Sequence, residues 1–330
     1  MGLEPWSAPE LPPGYGDFLV NPDQPWILPD NVARSAKSRR WQRKQRRAAT
    51  AMRKASALTG DTVLRVNFPT SAQLAPRWGY GKPPHPEILA LLESGRSEYA
   101  QVLGAVDSFI EHLEAIPISP TDSVHPAWKQ AWLPPLDAAL IYTAIRARKP
   151  VRVIEVGSGW STRFAAQAIK DGGLTTELIS IDPAPRAEIS ALGTTTFTQP
   201  LETLDLSVFE TLERGDVVFI DCSHRVFTNS DVTVFFLEVL PRLAAGVLVG
   251  IHDILWPLDY APGWAGYHFS EQYILGAYLL ARAPWLSVAF PAFFAAGCPE
   301  LLSASKLGAF IAEHELPAWG TSFWLDIEGR

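Results

Sequence analysis

The chain is poor in sulfur and has no long uninterrupted apolar run. Two cysteines in 330 residues, Cys222 and Cys298, cannot make a disulfide framework, which excludes the small stapled secreted scaffolds. The longest apolar region, Ile274 to Gly297, is broken by Arg282 and Pro284, so it reads as core and no membrane span is expected. The opening Met-Gly-Leu-Glu-Pro lacks the charged-then-apolar order of a signal peptide, and the expected location is cytoplasmic. No internal repeat is visible, and the only biased tract is a basic one.

A hydrophobic content of 47% over 330 residues supports a folded chain with a sizeable core, as one large domain or one domain plus an extension. Charge is unevenly spread. Arg34 to Lys54 holds ten Lys or Arg and no acid, so the net charge of −7 is made of +10 there and −17 elsewhere. Its Ala and Gln content favours helix. A solvated helix pairing with the acidic body or a second subunit is one reading, and an anionic partner, nucleic acid or membrane, is the other. Residues 1–30, rich in proline and aromatics, read as an irregular arm. Glu87 to Ile116 carries Ile88, Leu91, Leu92, Val102, Val106, Phe109, Ile110 and Leu113 at helical spacing, a helical cap. The expected division is therefore 1–135 (arm, basic helix and cap) and 136–330 (main domain), with a homo-oligomer through the N-terminal region as a further possibility.

From Leu136 onward helix and strand alternate. Leu136 to Arg148 reads as a helix and Val151–Val156 as a strand. Helix runs to Lys170, then come strands at Glu177–Asp182, near Thr194–Thr198 and at Asp216–Asp221. Ser230–Leu243 reads as a helix and Val247–Asp253 as a strand. A helix from Ser270, a strand Trp285–Phe290, a helix Leu301–Glu313 and a strand Thr321–Ile327 follow. The pattern predicts an open α/β sheet of seven strands.

The most informative stretch is Val-Arg-Val-Ile-Glu-Val-Gly-Ser-Gly-Trp-Ser-Thr, residues 151–162. A β-branched strand runs into a turn at Gly157 and Gly159, where the backbone can approach a ligand. Ser161 or Thr162 can cap the helix that follows, whose free amides favour an anion. A dinucleotide fold wants a small residue three positions after the second glycine. Thr162 stands there, and Glu155 would sit poorly beside a pyrophosphate but well beside a cation. Asp182, an acid about 20 residues past the glycines, is placed to hold ribose hydroxyls. The turn resembles motif I of the class I S-adenosylmethionine-dependent methyltransferases, with Ser161 in place of a third glycine. The resemblance implies a Rossmann-like seven-stranded sheet and S-adenosyl-L-methionine as cofactor. It also implies a cofactor site of Glu155, Gly157, Ser158, Gly159, Ser161, Thr162, Asp182 and Asp221.

Ligands in such sheets sit beyond the carboxyl ends of the strands. The fourth strand ends Ile-Asp-Cys-Ser-His, with Asp221 and His224, and the fifth ends Gly-Ile-His-Asp, with His252 and Asp253. Adjacent strand ends should bring these four together as catalytic candidates. The pattern is similar to that of catechol O-methyltransferase and its metal-dependent relatives. By position, Asp221 matches a metal ligand, His224 the basic residue and His252-Asp253 the acid-amide pair. The resemblance thus allows a divalent metal on Asp221, His252 and Asp253. His224 or His252 is the candidate base, since imidazole titrates near neutral pH. Residues 254–269, aromatic with glycine and proline hinges, read as a substrate lid or as a hydrophobic latch over the sheet edge, and Glu271 as bonding the amides of its own helix, the more local role, or touching the acceptor.

The leading expectation is methyl transfer to a small-molecule hydroxyl, with nitrogen as the nearest variant. Two alternatives stay open. Two histidines and a carboxylate could hold iron for an oxygenase, or the basic segment could carry nucleic-acid or membrane binding. The lack of an N-P-P-Y-type strand end argues against nucleic-acid methylation.

Overall fold

The structure, a computed structural model, describes residues 75–185 and 187–329. The arm 1–30 and the basic segment Arg34 to Lys54 lie outside the described residues.

The helical spacing between Glu87 and Ile116 resolves into three helices, α1 (Pro86–Glu93), α2 (Arg96–Asp107) and α3 (Ile110–Glu114). The first break falls at Gly95, where a Cβ would lie 2.4 Å from the Tyr99 hydroxyl. Ile88, Leu92, Tyr99, Leu103, Val106 and Leu113 are buried in the same hydrophobic cluster as the sheet. Each contributes roughly 1.5–3 kcal/mol by leaving water.

Helix α4 (Pro135–Arg148) begins with proline at its first position, where no amide hydrogen is needed. It ends at Lys149 in the left-handed region (φ 49°), just before Pro150. Its buried residues include Leu136, Ala139, Ile141, Tyr142 and Ile145, and also one acid, Asp137.

Seven strands form one sheet: β1 (Arg152–Val156), β2 (Glu177–Ile181), β3 (Thr195–Phe197), β4 (Val217–Ile220), β5 (Leu248–Ile251), β6 (Leu286–Pro291) and β7 (Phe323–Ile327). Their order is β3-β2-β1-β4-β5-β7-β6, with β7 antiparallel to both its neighbours. The expected Rossmann-like sheet of class I methyltransferases is therefore present. Val156 pairs with both Ile181 and Ile220, and Ile220 with Ile251, so four parallel strands end level. Strand order reverses between β1 and β4, the switch point where such sheets open a crevice.

Helix α5 (Trp160–Gly172) follows β1, buries Phe164, Ala165 and Ala168, and stops at Gly173 in the left-handed region. A short helix α6 (Ser207–Glu210) precedes β4. The helix expected over Ser230–Leu243 is irregular. A single α turn, α7 (Asp231–Val234), opens into a π turn at Phe235–Val239 and a 3-10 turn at Leu240–Arg242. Pro241, with no amide hydrogen, cannot continue α bonding there.

Helix α8 (Glu271–Leu280) leads to β6, and α9 (Ala292–Ala296), α10 (Pro299–Ser303) and α11 (Lys306–Glu313) lead to β7. The last two replace the single helix expected over Leu301–Glu313. Ser305 divides them, its hydroxyl accepting from the Gly308 amide at 3.0 Å as the cap of α11. Among the described residues no helix is long and apolar enough to cross a membrane.

Candidate functional site

The turn after β1 is closed by contact with β4. Gly157 has φ +85°, and a Cβ on it would lie 1.9 Å from the Asp221 carbonyl oxygen. Only glycine fits both conditions. Two backbone bonds lock the approach, Gly157 N–H to Ile181 O and Asp221 N–H to Val156 O, each 2.9 Å. Gly159 is different: its φ is 178°, and nothing lies within 4 Å of a Cβ built there. Open space stands over it at the start of α5.

Two of the three acids assigned to the cofactor, Glu155 and Asp182, brace this turn. Glu155 is buried and accepts from the Thr162 hydroxyl, which in turn accepts from the Gly159 amide at 2.9 Å. Burial pushes the Glu155 carboxyl up to about 8, against the hydrogen bonds from Ser161 and Thr162. Asp182 accepts from the Ser158 amide at 2.9 Å and from its hydroxyl, and its other oxygen accepts from the Ala184 amide at 2.8 Å. The two strand ends are thereby tied across the turn.

Beyond β4 and β5 the structure brings Asp221, His224, His252 and Asp253 together. His224 Nε2 lies 3.3 Å from Asp221 Oδ1 and 3.5 Å from Asp253 Oδ2. His252 Nδ1 lies 3.4 Å from Asp221 Oδ1 and 3.4 Å from Asp253 Oδ1. Each imidazole thus turns one nitrogen towards the same pair of carboxylates. His224 and Asp253 both have left-handed backbones, at φ 58° and 56°, which is costly for residues with a Cβ.

The other nitrogens meet acids that sequence reasoning left out of the cluster. His224 Nδ1 is hydrogen-bonded to Glu271 Oε1, at the start of α8. Glu271 was expected to bond its own helix amides, and it reaches the histidine instead. His252 Nε2 lies 3.3 Å from Asp137 Oδ2 and 3.2 Å from the Thr321 hydroxyl. Asp137 also accepts from the amides of Thr321 (2.7 Å) and Ser322 (2.9 Å) and from the Ser322 hydroxyl. The signal available for Asp137 was a lone acid in the apolar run Pro-Leu-Asp-Ala-Ala-Leu-Ile. Nothing comparable marked Thr321.

Charge in the cluster is mutually held. Burial alone would push both imidazoles down. It is outweighed by Glu271, Asp221 and Asp253 at His224 and by Asp221, Asp253 and Asp137 at His252, so both stay protonated well above the usual imidazole range. Burial also works to raise Asp221, but the two imidazoles hold it below the ordinary carboxylate range. Burial pushes Glu271 up to about 7.

A metal on Asp221, His252 and Asp253 does not fit this arrangement. Among the described residues no group of three or more His, Cys, Asp or Glu is placed to hold an ion. The nitrogens that would donate to one face carboxylates as charged pairs, at 3.3–3.5 Å.

The aromatic segment after Asp253 is less a lid than a small core. Leu255, Leu258, Tyr260, Ala261 and Trp264 are buried with Phe293, while Tyr267 and Phe269 are half-buried at its edge. Gln272 stitches it to α8, accepting from the Leu255 amide at 3.0 Å and donating to Leu258 O at 3.3 Å. Phe269 is the member that reaches the site, its ring centroid 4.5 Å from that of His224.

Residues 154–254 match a family model described as a methyltransferase domain. The matched stretch runs from β1 through the end of β5 and contains the glycine turn and both histidine-bearing strand ends. The chain carries a methyltransferase domain of the class I fold. No curated protein matches the chain. Among solved structures it is similar to the O-methyltransferase from Bacillus cereus in complex with SAH, at 14% identity over 74% of this chain and 99% of that one, with a TM-score of 0.37. It is also similar to an SAH-bound methyltransferase of Podospora anserina, at 14% identity over 58% and 78%, with a TM-score of 0.37. A third is the O-methyltransferase TomG of Streptomyces achromogenes in complex with SAM, at 14% identity over 69% and 90%, with a TM-score of 0.31.

Proposed function

We propose that the protein transfers a methyl group from S-adenosyl-L-methionine to a hydroxyl of a small-molecule acceptor, with the acid–histidine cluster at the strand ends taking the hydroxyl proton. The observation that carries this reading is the contact of Gly157 with the Asp221 carbonyl. It sets the cofactor turn directly against the strand end that bears Asp221 and His224.

In this reading Gly157, Ser158, Gly159, Ser161 and Thr162 form the wall for the amino-acid end of the cofactor. Asp182 takes the ribose hydroxyls, using lone pairs left by its bonds to Ser158 and Ala184. Glu155 is a buried carboxyl held largely neutral, and a cation brought beside it would be matched by its ionisation. Asp221 is an anion on the cofactor's side of the cluster, suited to a sulfonium charge. The acceptor enters beside His224, His252 and Asp253. Its oxygen attacks the methyl carbon in line as the carbon–sulfur bond breaks, the electron pair stays on sulfur, and the hydroxyl proton passes into the acid–histidine cluster.

Calorimetric titration with S-adenosylmethionine and S-adenosylhomocysteine, before and after chelator treatment, tests the cofactor. Binding of both, unchanged by chelator, is expected. Absence of binding by either would remove the reading.

A further inference from the structure

We propose that the cavity enclosed by α2, α4 and the β5–β7–β6 side of the sheet is a second ligand site, for a small, neutral and mainly apolar molecule that carries one hydrogen-bond-accepting oxygen, a phenol or ketone in chemical class. The inference goes beyond the methyltransferase reading and does not rest on it.

The cavity holds about 160 Å3, close to the roughly 150 Å3 at which an apolar cavity takes up benzene. Its floor is the sheet, where Leu248, Phe290 and Trp324 come from three neighbouring strands. The register sets them on one face: Trp324 pairs with Gly250 on one side and Phe290 on the other, and Leu248 stands two residues before Gly250. A Cβ on Gly250 would lie 2.8 Å from Trp324 Cζ3, so the missing side chain gives the indole its place. The walls are helical, with Val102 and Ala105 on α2 and Leu140 and Ala144 on α4. Alanine at 105 and 144 leaves the space that larger residues would fill. Leu248 opens β5, whereas His252 lies beyond its other end, which separates the cavity from the acid–histidine cluster.

The polar groups of the cavity decide the ligand's chemistry. Thr143 lines it and is buried, and its Oγ1 has no hydrogen-bond partner, although a helical threonine can bond the carbonyl one turn back. Arg148 also lines it. Its guanidinium donates to Asp326 Oδ1 at 3.3 Å and to the Gly246 carbonyl, which leaves Nε buried without a partner. A buried polar group left unbonded is costly. Both groups can donate, so a ligand oxygen supplies what each lacks. The charges of Arg148 and Asp326 are matched to each other, and no further charge is called for. An apolar lining with a few polar groups is the usual make-up of a small-molecule site.

The test is methyl spectra of the full chain, 13C-labelled at leucine and valine, titrated with phenol and with toluene, two molecules alike in shape. Saturable shifts at Val102, Leu140 and Leu248 are expected with both, in the presence and absence of S-adenosylhomocysteine. Phenol should bind about tenfold more tightly, equivalent to one hydrogen bond of ordinary strength. Thr143→Val should lose most of that advantage and keep toluene binding. Because it removes an unpaired buried hydroxyl, it should also raise the melting temperature of the free protein. Ala144→Leu should fill the cavity and abolish the shifts by both compounds, and if it does not fold, Ala105→Leu fills it from α2. Absence of shifts with either compound, shifts that survive filling, a phenol preference indifferent to Thr143, or a Thr143→Val protein that melts lower would overturn the proposal. Calorimetry with S-adenosylhomocysteine on the same samples reports on the methyltransferase reading separately, since the cavity is also read without it.

Discussion

The cofactor turn and the acid–histidine cluster touch at Asp221, yet they are built in opposite ways. The turn is local: Glu155, Gly157, Ser158, Gly159, Thr162 and Asp182 lie within 28 residues and bond mainly to one another. The cluster is assembled from five separate places, with Asp137 on α4, Asp221 and His224 beyond β4, His252 and Asp253 beyond β5, Glu271 on α8 and Thr321 before β7. A local site shows in spacing along the chain. A dispersed one shows only in the sheet order that brings its parts together.

The difference predicts where damage spreads, and Asp137→Ala should be the most severe change. It strips the amides of Thr321 and Ser322, the Ser322 hydroxyl and His252 of their shared acceptor. Breaking a buried charged network costs roughly 3–5 kcal/mol. Urea unfolding should show that loss, and β7, between β5 and the edge strand β6, should exchange its amides first. A change below 1 kcal/mol would mean the cluster is not held together by Asp137.

Gly157→Ala tests the local site with comparable force. The left-handed φ and the clash with the Asp221 carbonyl together cost roughly 2–4 kcal/mol. Binding of S-adenosylhomocysteine should fall at least as much as stability. If affinity survived while stability dropped, the turn would be a structural joint and not a cofactor wall.

Glu155 gives the comparison a pH axis. Unfolded, this carboxyl ionises in the ordinary range, while folded it keeps its proton up to about 8. Between those values the folded chain binds the extra proton, so its contribution to stability is fully present at low pH and is lost as pH rises to about 8. Glu155→Gln keeps an oxygen for the Thr162 hydroxyl and has nothing to ionise. It should flatten stability between pH 5 and 8 and gain roughly 1–2 kcal/mol at pH 8. Calorimetry near neutral pH adds a second arm: a cofactor ammonium placed beside Glu155 should release a proton, read as a dependence of the heat on buffer. A cofactor that binds with no proton release would be held elsewhere.

What the sequence made legible follows the same division. The strands, their order of appearance and the glycine turn were readable because a buried parallel strand ending in glycine is a local pattern. The helix ends were less so. Ser305 read as one residue within Leu301–Glu313 and became a cap, because its hydroxyl competes with the backbone for hydrogen bonds. Asp221, His224, His252 and Asp253 were readable as neighbours once the sheet was assumed. Glu271 and Asp137 were not, because their partners lie 47 and 115 residues away. The aromatic stretch 254–269 read as a lid from its composition. Burial of Tyr260 and Trp264 against Phe293 depends on a helix almost 30 residues further on.

The finest division falls inside the glycine motif itself. Gly157 and Gly159 look alike in sequence, but only Gly157 is required by the fold. Gly159 has an extended φ and empty space where a Cβ would stand. Gly159→Ala should therefore leave the free protein's stability within about 0.5 kcal/mol of wild type, and a small gain is possible because alanine narrows the unfolded ensemble. The same methyl group would project into the space that the cofactor is proposed to fill, so affinity for S-adenosylhomocysteine should fall while the melting temperature does not. Loss of both would show that Gly159 is needed by the turn, like its neighbour. Loss of neither would place the cofactor away from the start of α5, and would leave Gly157 as the single glycine of the pair with a physical reason to be there.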